Sequence, residues 1–292
     1  MFKFKYVKPT SIEEALTLKK VKGEKAVFVA GGTDIFLLIK KGVLKPETVI
    51  SLRNIKELSG IVEHKTTVVI KSATTLREIE KSIVIRKNFP ALYDALINMA
   101  SVQIRNVGTI GGNICNASPA ADTASPLLIY DTKVKTVDSY LNERSYKLKD
   151  FFTGVKKTRL KDDEIVSDII IEKPHKNSGS AYYKFMKRKA MDLANVGVAV
   201  RLDLSENNII TDSRIALTTV APTPIRVIKT EKFLKNKKFS EDILLEAGDI
   251  AKNECSPIDD IRGLAWHKKE IVRVYIKRVG LMCYKRLTNE KH

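Results

Sequence analysis

The segment AVFVAGGTDIFLLIKKG, residues 26–42, passes from a buried-strand pattern through a glycine turn into an apolar helix. Because glycine has no Cβ, the backbone N–H groups of Gly31 and Gly32 can approach a ligand closely. The following helix would point its free N–H groups at that ligand, which favours phosphate. Thr33 and Asp34 are candidate caps of this helix, and the Thr33 hydroxyl can also meet a phosphate oxygen. A capped turn without a ligand explains the same residues, so this segment alone leaves a phosphate site open.

A second glycine pair lies in TIGGN, which comprises Thr109, Ile110, Gly111, Gly112 and Asn113. This motif offers a hydroxyl, backbone amides and a carboxamide within five positions. Asp122 follows it and could accept hydrogen bonds from a ribose or an adenine amino group, although a helix cap for ADTASPLL is an equal alternative. The surrounding residues 103–128 are rich in Gly, Asn, Ser and Pro, which predicts a loop with a specified path.

Hydrophobic patterning over the whole chain predicts an α+β protein of two domains. The boundary is expected near residue 177, where Pro174 and a polar stretch follow a strand-rich region. Domain 1 therefore covers residues 1–177. Domain 2, residues 178–288, combines alternating strand patterns typical of an antiparallel sheet with closing helices.

Composition excludes several classes of site and protein. The three cysteines are far apart and the four histidines are scattered, so no zinc, molybdenum or iron–sulfur site is expected on this chain. No apolar run is long enough to span a membrane and no signal sequence is evident, which predicts a cytoplasmic protein. The net charge of +18 leaves a nucleic-acid-binding protein as an alternative, but the lysines are dispersed among acidic residues, as on a solvated surface.

Four segments, in order and spacing, resemble one family: the FAD-binding medium subunits of molybdenum hydroxylases, which include carbon monoxide dehydrogenase, xanthine dehydrogenase and aldehyde or glyceraldehyde oxidoreductases. The segments are AGGTD at 30–34, TIGGN at 109–113, NASPAAD at 116–122 and AYYKFMKRKAMDLANVGVAV from Ala181. The resemblance implies a two-part FAD-binding domain, with α/β subdomains of about 1–55 and 56–177, and a C-terminal sheet-plus-helix domain.

The resemblance also implies the cofactor contacts. The two glycine loops would hold the pyrophosphate, Asp122 would meet the adenosine part, and Lys184 would lie near the flavin. Met99 matches a position that can be aromatic in relatives, and Val166 matches an apolar position near the cofactor. The complete set is Val29, Ala30, Gly31, Gly32, Thr33, Asp34, Met99, Thr109, Ile110, Gly111, Gly112, Asn113, Asp122, Val166 and Lys184. A covalent flavin bond through Cys115 is less favoured than a buried small cysteine.

The implied function is electron transfer through non-covalently bound FAD. A large partner subunit would carry the molybdenum cofactor, and a small one the 2Fe-2S clusters, in a dimer of heterotrimers. Electrons would pass from the clusters to this flavin and then to an external acceptor. A small aldehyde is the expected substrate of the complex, and no catalytic residue is assigned to this chain. A self-sufficient FAD oxidoreductase of the same broader fold stays open as an alternative.

Overall fold

The first glycine turn belongs to a small parallel sheet at the start of the chain. The computed structural model describes residues 3–188 and 191–289. The elements here are β1 (Lys5–Val7), α1 (Ile12–Lys22), β2 (Ala26–Val29), α2 (Ile35–Lys40) and β3 (Thr48–Ser51), with a 3₁₀ turn at Gly23–Lys25. Strand β3 lies between β1 and β2, and both pairs are parallel. Successive residues of a strand face opposite sides, so Ile50 packs with Leu16 of α1 while Val49 packs with Ile39 of α2.

A five-stranded antiparallel sheet forms the second part. A 3₁₀ turn at Lys56–Leu58 precedes it, and its strands are ordered β4-β5-β10-β6-β7. These strands are β4 (Ile61–Glu63), β5 (Thr67–Lys71), β6 (Lys133–Val137), β7 (Glu143–Lys147) and β10 (Ile165–Glu172). Between β5 and β6 come α3 (Leu76–Lys81), α4 (Ile83–Asn88), α5 (Pro90–Ile97), α6 (Val102–Val107), α7 (Ile110–Asn116) and α8 (Ala124–Leu128). After β7 follow α9 (Leu148–Phe151) and the small hairpin of β8 (Phe152–Gly154) and β9 (Lys157–Thr158).

Helices α6, α7 and α8 occupy most of residues 103–128, so the prediction of a loop there is wrong. The Ser101 hydroxyl caps α6 by accepting from Ile104 N, and the Thr109 hydroxyl caps α7 by accepting from Gly112 N. These local caps satisfy amides that would otherwise need another partner, which offsets the weak helix propensity of the Gly-rich and Asn-rich sequence.

The last part is an antiparallel sheet covered by helices, as the sequence predicted. Its strands β11 (Ser178–Phe185), β12 (Val196–Leu204), β13 (Ile210–Thr218) and β14 (Ile225–Arg226) are neighbours in that order. Three helices follow: α10 (Ile228–Leu234), α11 (Glu241–Ala251) and α12 (Ala265–Asn289). Ser240 caps α11 as expected from the sequence. Gly179 lets α12 lie directly on β11, because a Cβ at this position would come within 2.4 Å of the Cys283 carbonyl oxygen.

The C-terminal part contributes residues to the hydrophobic cluster of the second part, besides having a core of its own. Tyr182, Ala199 and Ala216 of the C-terminal sheet pack in the same cluster as the helices of the second subdomain. Polar contacts also cross between the parts, since the hydroxyls of Tyr130 and Ser180 lie 2.6 Å apart in the interior. The α+β fold class is therefore confirmed, while the domain boundary near residue 177 stays a prediction. Among the described residues, no helix is both long and apolar enough to cross a lipid bilayer.

Candidate cofactor-binding site

A cavity of about 550 Å³ lies between the two glycine loops and the edge of strand β11. This volume is typical of small-molecule and cofactor sites. Most of the residues predicted to contact the cofactor line it: Val29, Ala30, Gly31, Gly32, Thr33, Asp34, Met99, Thr109, Gly112, Asn113, Asp122 and Lys184. The wall also contains residues that the sequence analysis did not assign, among them Phe28, Leu38, Leu44, Cys115, Met191 and Leu193.

The first loop depends on both of its glycines. A Cβ at Gly31 would lie 2.3 Å from the Val107 carbonyl oxygen, so glycine allows this loop to touch the chain just before the second loop. Gly32 has φ +81°, a left-handed conformation that other residues rarely adopt. Asn116 Nδ2 also donates to Asp34 Oδ1 at 3.1 Å, which links the first loop to α7. The first loop and the segment of the second loop are therefore joined in one wall of the cavity.

The backbone amides of residues 31–34 are the strongest candidates for holding phosphate. Within residues 3–188 and 191–289, these four N–H groups donate no hydrogen bond. Successive free amides beside a left-handed residue form a concave anion site, and α2 starts directly after them. Asp34 does not cap α2 through its side chain, contrary to the sequence prediction, because its carboxylate accepts from Asn116 and from the Thr33 hydroxyl. The loop fits a pyrophosphate, which carries two negative charges.

The second loop contributes side chains more than backbone amides. The N–H group of Ile110 donates to the Thr74 carbonyl oxygen, and that of Gly111 to the Ser72 carbonyl oxygen. Neither Ile110 nor Gly111 lines the cavity. A Cβ at Gly111 would lie 2.7 Å from the Ser72 carbonyl oxygen, so this glycine serves packing against the end of β5. The approach of Gly111 to phosphate stays a prediction, which its packing and its bonded N–H do not support.

Two polar side chains of the second loop do face the cavity. The Thr109 hydroxyl caps α7, and Asn113 Oδ1 accepts from the Thr123 hydroxyl at 2.6 Å. This bond fixes the orientation of the Asn113 carboxamide. Its Nδ2 group donates no hydrogen bond within the described parts of the chain, which leaves it available to a ligand oxygen.

A buried ion pair forms the opposite wall. Lys184 Nζ lies 2.9 Å from Asp122 Oδ2, and the Tyr182 hydroxyl donates to Asp122 Oδ1 at 3.0 Å. Burial raises the pKa of Asp122, although Lys184 and Tyr182 both oppose that shift. The resemblance placed Asp122 at the adenosine end and Lys184 at the flavin end of the cofactor. The ion pair places both side chains at one point of the cavity, so we expect them to meet the same portion of the cofactor, and their individual contacts with it stay predictions.

A buried arginine stabilises the turn that carries Met99 by hydrogen bonds to its backbone. Arg105 Nη1 donates to the carbonyl oxygens of Met99 and Ala100, and its Nε donates to Glu80. Ala100 has φ +47°, an unfavourable conformation for alanine that these contacts stabilise. Sequence analysis missed Arg105 because two of its acceptors are backbone carbonyls, which leave no pattern in the sequence, and the third, Glu80, is 25 residues away.

Val166 and Cys115 differ in their relation to the cavity. Val166 is buried in the core on β10 and is not part of the cavity wall, so a contact with the cofactor is unsupported by its position. Cys115 lines the cavity, but burial raises the pKa of its thiol to about 12. A protonated thiol is a poor nucleophile, which argues against a covalent bond to flavin.

Family models match both parts of the chain. Residues 2–174 match the FAD binding domain in molybdopterin dehydrogenase, and residues 181–282 match the CO dehydrogenase flavoprotein C-terminal domain. The chain is an FAD-binding subunit of the molybdenum hydroxylase family. The family assignment from the two glycine loops is thus confirmed, and with it the assignment of this FAD-binding chain as an oxidoreductase subunit.

Similar proteins extend over nearly the whole FAD-binding subunit. The carbon monoxide dehydrogenase medium chain of Hydrogenophaga pseudoflava is 33% identical over 94% of this chain and 95% of the relative. A solved structure of carbon monoxide dehydrogenase from the same organism, lacking the Mo-pyranopterin moiety, matches with a TM-score of 0.92 at 31% identity, covering 97% of this chain and 98% of that chain.

Two further relatives carry different substrate names. The putative xanthine dehydrogenase FAD-binding subunit of Escherichia coli K12 is 31% identical over 96% of both chains. The glyceraldehyde dehydrogenase medium chain of Sulfolobus acidocaldarius is 30% identical over 93% of this FAD-binding subunit and 95% of the relative. Chains of almost equal similarity therefore serve complexes with chemically unrelated substrates.

Proposed function

We propose that this FAD-binding subunit transfers electrons within a molybdenum hydroxylase complex, from 2Fe-2S clusters on a small partner subunit to an external acceptor. The observation that carries the proposal is the cavity in which the free amides of residues 31–34 face the Asp122–Lys184 pair. When bound there, FAD supplies chemistry that accepts electrons singly and releases them in pairs. The amides would hold the pyrophosphate of FAD. The Asp122–Lys184 ion pair would set the charge near the flavin portion.

The substrate chemistry is assigned to a large partner subunit that carries the molybdenum cofactor. No group of three or more His, Cys, Asp or Glu side chains able to hold a metal occurs among the described residues. Among the described residues, the cavity wall offers carboxylates, one lysine and a thiol of raised pKa, and the one buried carboxylate there is already paired. These groups suit cofactor binding better than acid–base work on an organic substrate.

The finer parts of the proposal concern substrate and assembly. We place the complex in the cytoplasm as a dimer of heterotrimers that oxidises a small aldehyde. The glyceraldehyde dehydrogenase relative supports this substrate class, and the xanthine and carbon monoxide dehydrogenase relatives are the competing choices. Activity of the assembled complex toward glyceraldehyde, xanthine and carbon monoxide would select among them.

Expression of the chain alone tests the division of labour. The purified protein is expected to show a flavin spectrum, to be reduced by dithionite and to oxidise no aldehyde or purine with common acceptors. Addition of the molybdenum and iron–sulfur subunits should restore substrate-dependent flavin reduction, whereas protein stripped of FAD should not support flavin-dependent turnover. Turnover by the single chain at about 1–1000 per second would favour the self-sufficient oxidoreductase. Salt-dependent retention on DNA without bound flavin would favour the nucleic-acid-binding alternative.

A further inference from the structure

A neighbouring residue on strand β11 shares the carboxylate partner of the Lys184 ammonium. Tyr182 and Lys184 are two residues apart on β11, so their side chains share one face of the sheet. Both are buried, and both contact the same carboxylate of Asp122. Tyr182 lies outside the set of cavity-lining residues, whereas Lys184 and Asp122 belong to it. The tyrosine contacts the ion pair without lining this cavity itself, although it lines, together with Lys184, a neighbouring pocket of about 350 Å³.

A glycine on the next strand makes room for the tyrosine hydroxyl. Gly197 of β12 pairs in register with Lys184 on one side and Thr218 on the other. A Cβ at Gly197 would lie 2.8 Å from the Tyr182 hydroxyl oxygen and 2.2 Å from Thr218 Oγ1. The backbone of Gly197 does not have positive φ. Glycine is consequently needed at position 197 because the hydroxyl groups of Tyr182 and Thr218 occupy the space that a Cβ would fill.

Stability alone does not account for this polar cluster. Asp122 and Lys184 are 5% and 4% exposed, and desolvation of two charges consumes much of the energy that their attraction provides. A hydrophobic pair of similar volume would stabilise such an interior at least as well. The cluster also lies on the cavity wall, where a fixed charge acts on a bound ligand with little screening by water.

We propose that Tyr182, in the space left by Gly197, is a positioning residue of the FAD site. Its hydroxyl holds the Asp122 carboxylate, and Asp122 holds the Lys184 ammonium at the wall of the cavity. This inference rests on the proposed function, which supplies a flavin at that wall. Tyr182 acts on the cofactor only through Asp122 and Lys184.

Loss of the hydroxyl has a defined electrostatic consequence. Without it, Asp122 keeps one of its two side-chain donors and becomes easier to protonate, because the Tyr182 hydrogen bond opposes the effect of burial on its pKa. A protonated Asp122 leaves the Lys184 charge unbalanced. Reduction adds negative charge to a bound flavin, so an unbalanced cation would raise its midpoint potential.

The test compares Tyr182→Phe with Tyr130→Phe. Tyr130 is the matched control because it is also fully buried and uses its hydroxyl at the junction of the two parts, toward Ser180 and Ala91, without contacting Asp122. Both variants should lose similar stability in urea titrations. Only Tyr182→Phe should weaken FAD binding, by about three- to tenfold, since a hydrogen bond to a charged group is lost.

The midpoint potential of the bound flavin separates positioning from a structural role. Tyr182→Phe should raise it, by about 15 mV for a threefold change in the ratio of oxidised to reduced affinities, and Tyr130→Phe should leave it unchanged. An unchanged or lowered potential in Tyr182→Phe, or equal FAD affinities in the two variants, would overturn the proposal. Failure of the wild-type chain to bind FAD would instead overturn the proposed function.

A second variant keeps the test decisive if Tyr182→Phe does not fold. Asp122→Asn removes the charge directly and should raise the potential at least as much, and an unchanged potential would overturn the proposal. Where both variants fold, the double variant should match Asp122→Asn alone, because the hydroxyl acts through the carboxylate. Additive effects of the two substitutions would mean that Tyr182 acts by another route.

Discussion

Arg286, near the end of helix α12, forms a bidentate ion pair with Asp94 of α5 through two parallel hydrogen bonds. The Nη1–Oδ2 distance is 2.8 Å and the Nη2–Oδ1 distance is 2.9 Å. Arg286 Nη1 also donates to the Ser180 carbonyl oxygen, and Asp94 accepts from the Tyr182 backbone N–H. Strand β11, which carries Lys184, is thereby fixed between α5 and α12. The geometry of the cofactor wall thus depends on a contact between residues that are 192 positions apart in the sequence.

Arg286→Met is expected to lower the free energy of unfolding by about 2 kcal/mol, below the full cost of breaking a buried pair because Arg286 remains partly exposed. The physical reason is that the Asp94 carboxylate stays largely buried with one backbone donor remaining. Urea unfolding measures the change. Lys277→Met is the matched control, because its pair with Glu241 is on the surface and should contribute less than about 1 kcal/mol. Equal losses in the two variants would contradict the role assigned to Arg286.

Asp260 provides a prediction for acid pH. Burial would raise its pKa, but hydrogen bonds from Lys268 and Arg262 outweigh that effect and lower it to about 2. The folded-state pKa of Asp260 lies below the unfolded value, so the ionised carboxylate with its two cationic donors stabilises the protein fully above about pH 4. This contribution is lost as pH falls through 2. The full contribution is about 2–2.5 kcal/mol. Asp260→Asn should therefore destabilise the protein at pH 6 and about half as much at pH 3.

Thermal or urea unfolding at the two pH values checks this dependence. Asp162→Asn, at an exposed position, is the control and should change stability little at either pH. A destabilisation by Asp260→Asn that is the same at pH 6 and pH 3 would show that its effect comes from packing and not from charge.

Cys115 yields a prediction about the attachment of the cofactor. A thiol with a pKa of about 12 is ionised in roughly one molecule in ten thousand at pH 8, so it should resist alkylation and form no bond to flavin. Denaturation of the FAD-loaded protein should release all flavin into the supernatant, and Cys115→Ala should retain its FAD content. Flavin that remains with the denatured wild-type chain but not with Cys115→Ala would reverse this conclusion.

The sequence predicted the parts of the site that depend on local chemistry. Gly31 and Gly32 could be recognised because a turn between a strand and a helix already favours glycine and free amides. The role of Gly111 could not, because it depends on the carbonyl of Ser72 in a distant part of the chain. Strand alternation places Tyr182 beside Lys184, but only the packed structure brings both to Asp122.

The same distinction explains the errors in the fold. The composition of residues 103–128 indicated a loop, yet hydroxyl caps at Ser101 and Thr109 permit short helices there. The place of Val166 near the cofactor, implied by the resemblance, stays a prediction, and the packed structure shows its side chain in the core. A side chain's distance from a cavity depends on how sheets and helices pack, and a single sequence carries little information about that.

The two glycine loops should respond differently to substitution. Gly31→Ala would push a methyl group against the Val107 carbonyl, which separates the loops and displaces the free amides of residues 31–34. We expect more than about a tenfold loss of FAD affinity, equivalent to about 1.4 kcal/mol, with folding retained because this loop lies at the cavity wall. Gly111→Val should instead destabilise the fold itself by about 1–3 kcal/mol, since its side chain would overpack the interior against Ser72.

FAD titration and urea unfolding of the same preparations separate the two effects. Gly154→Ala is the control, because the nearest atom to its added Cβ is 3.9 Å away and neither affinity nor stability should change much. For Gly111→Val, any loss of bound FAD should follow the loss of folded protein, so affinity measured on the folded fraction should remain near that of the wild type. A stable, fully folded Gly111→Val that has lost FAD affinity would return Gly111 to direct phosphate contact, and unchanged affinity in Gly31→Ala would remove the first loop from the pyrophosphate site.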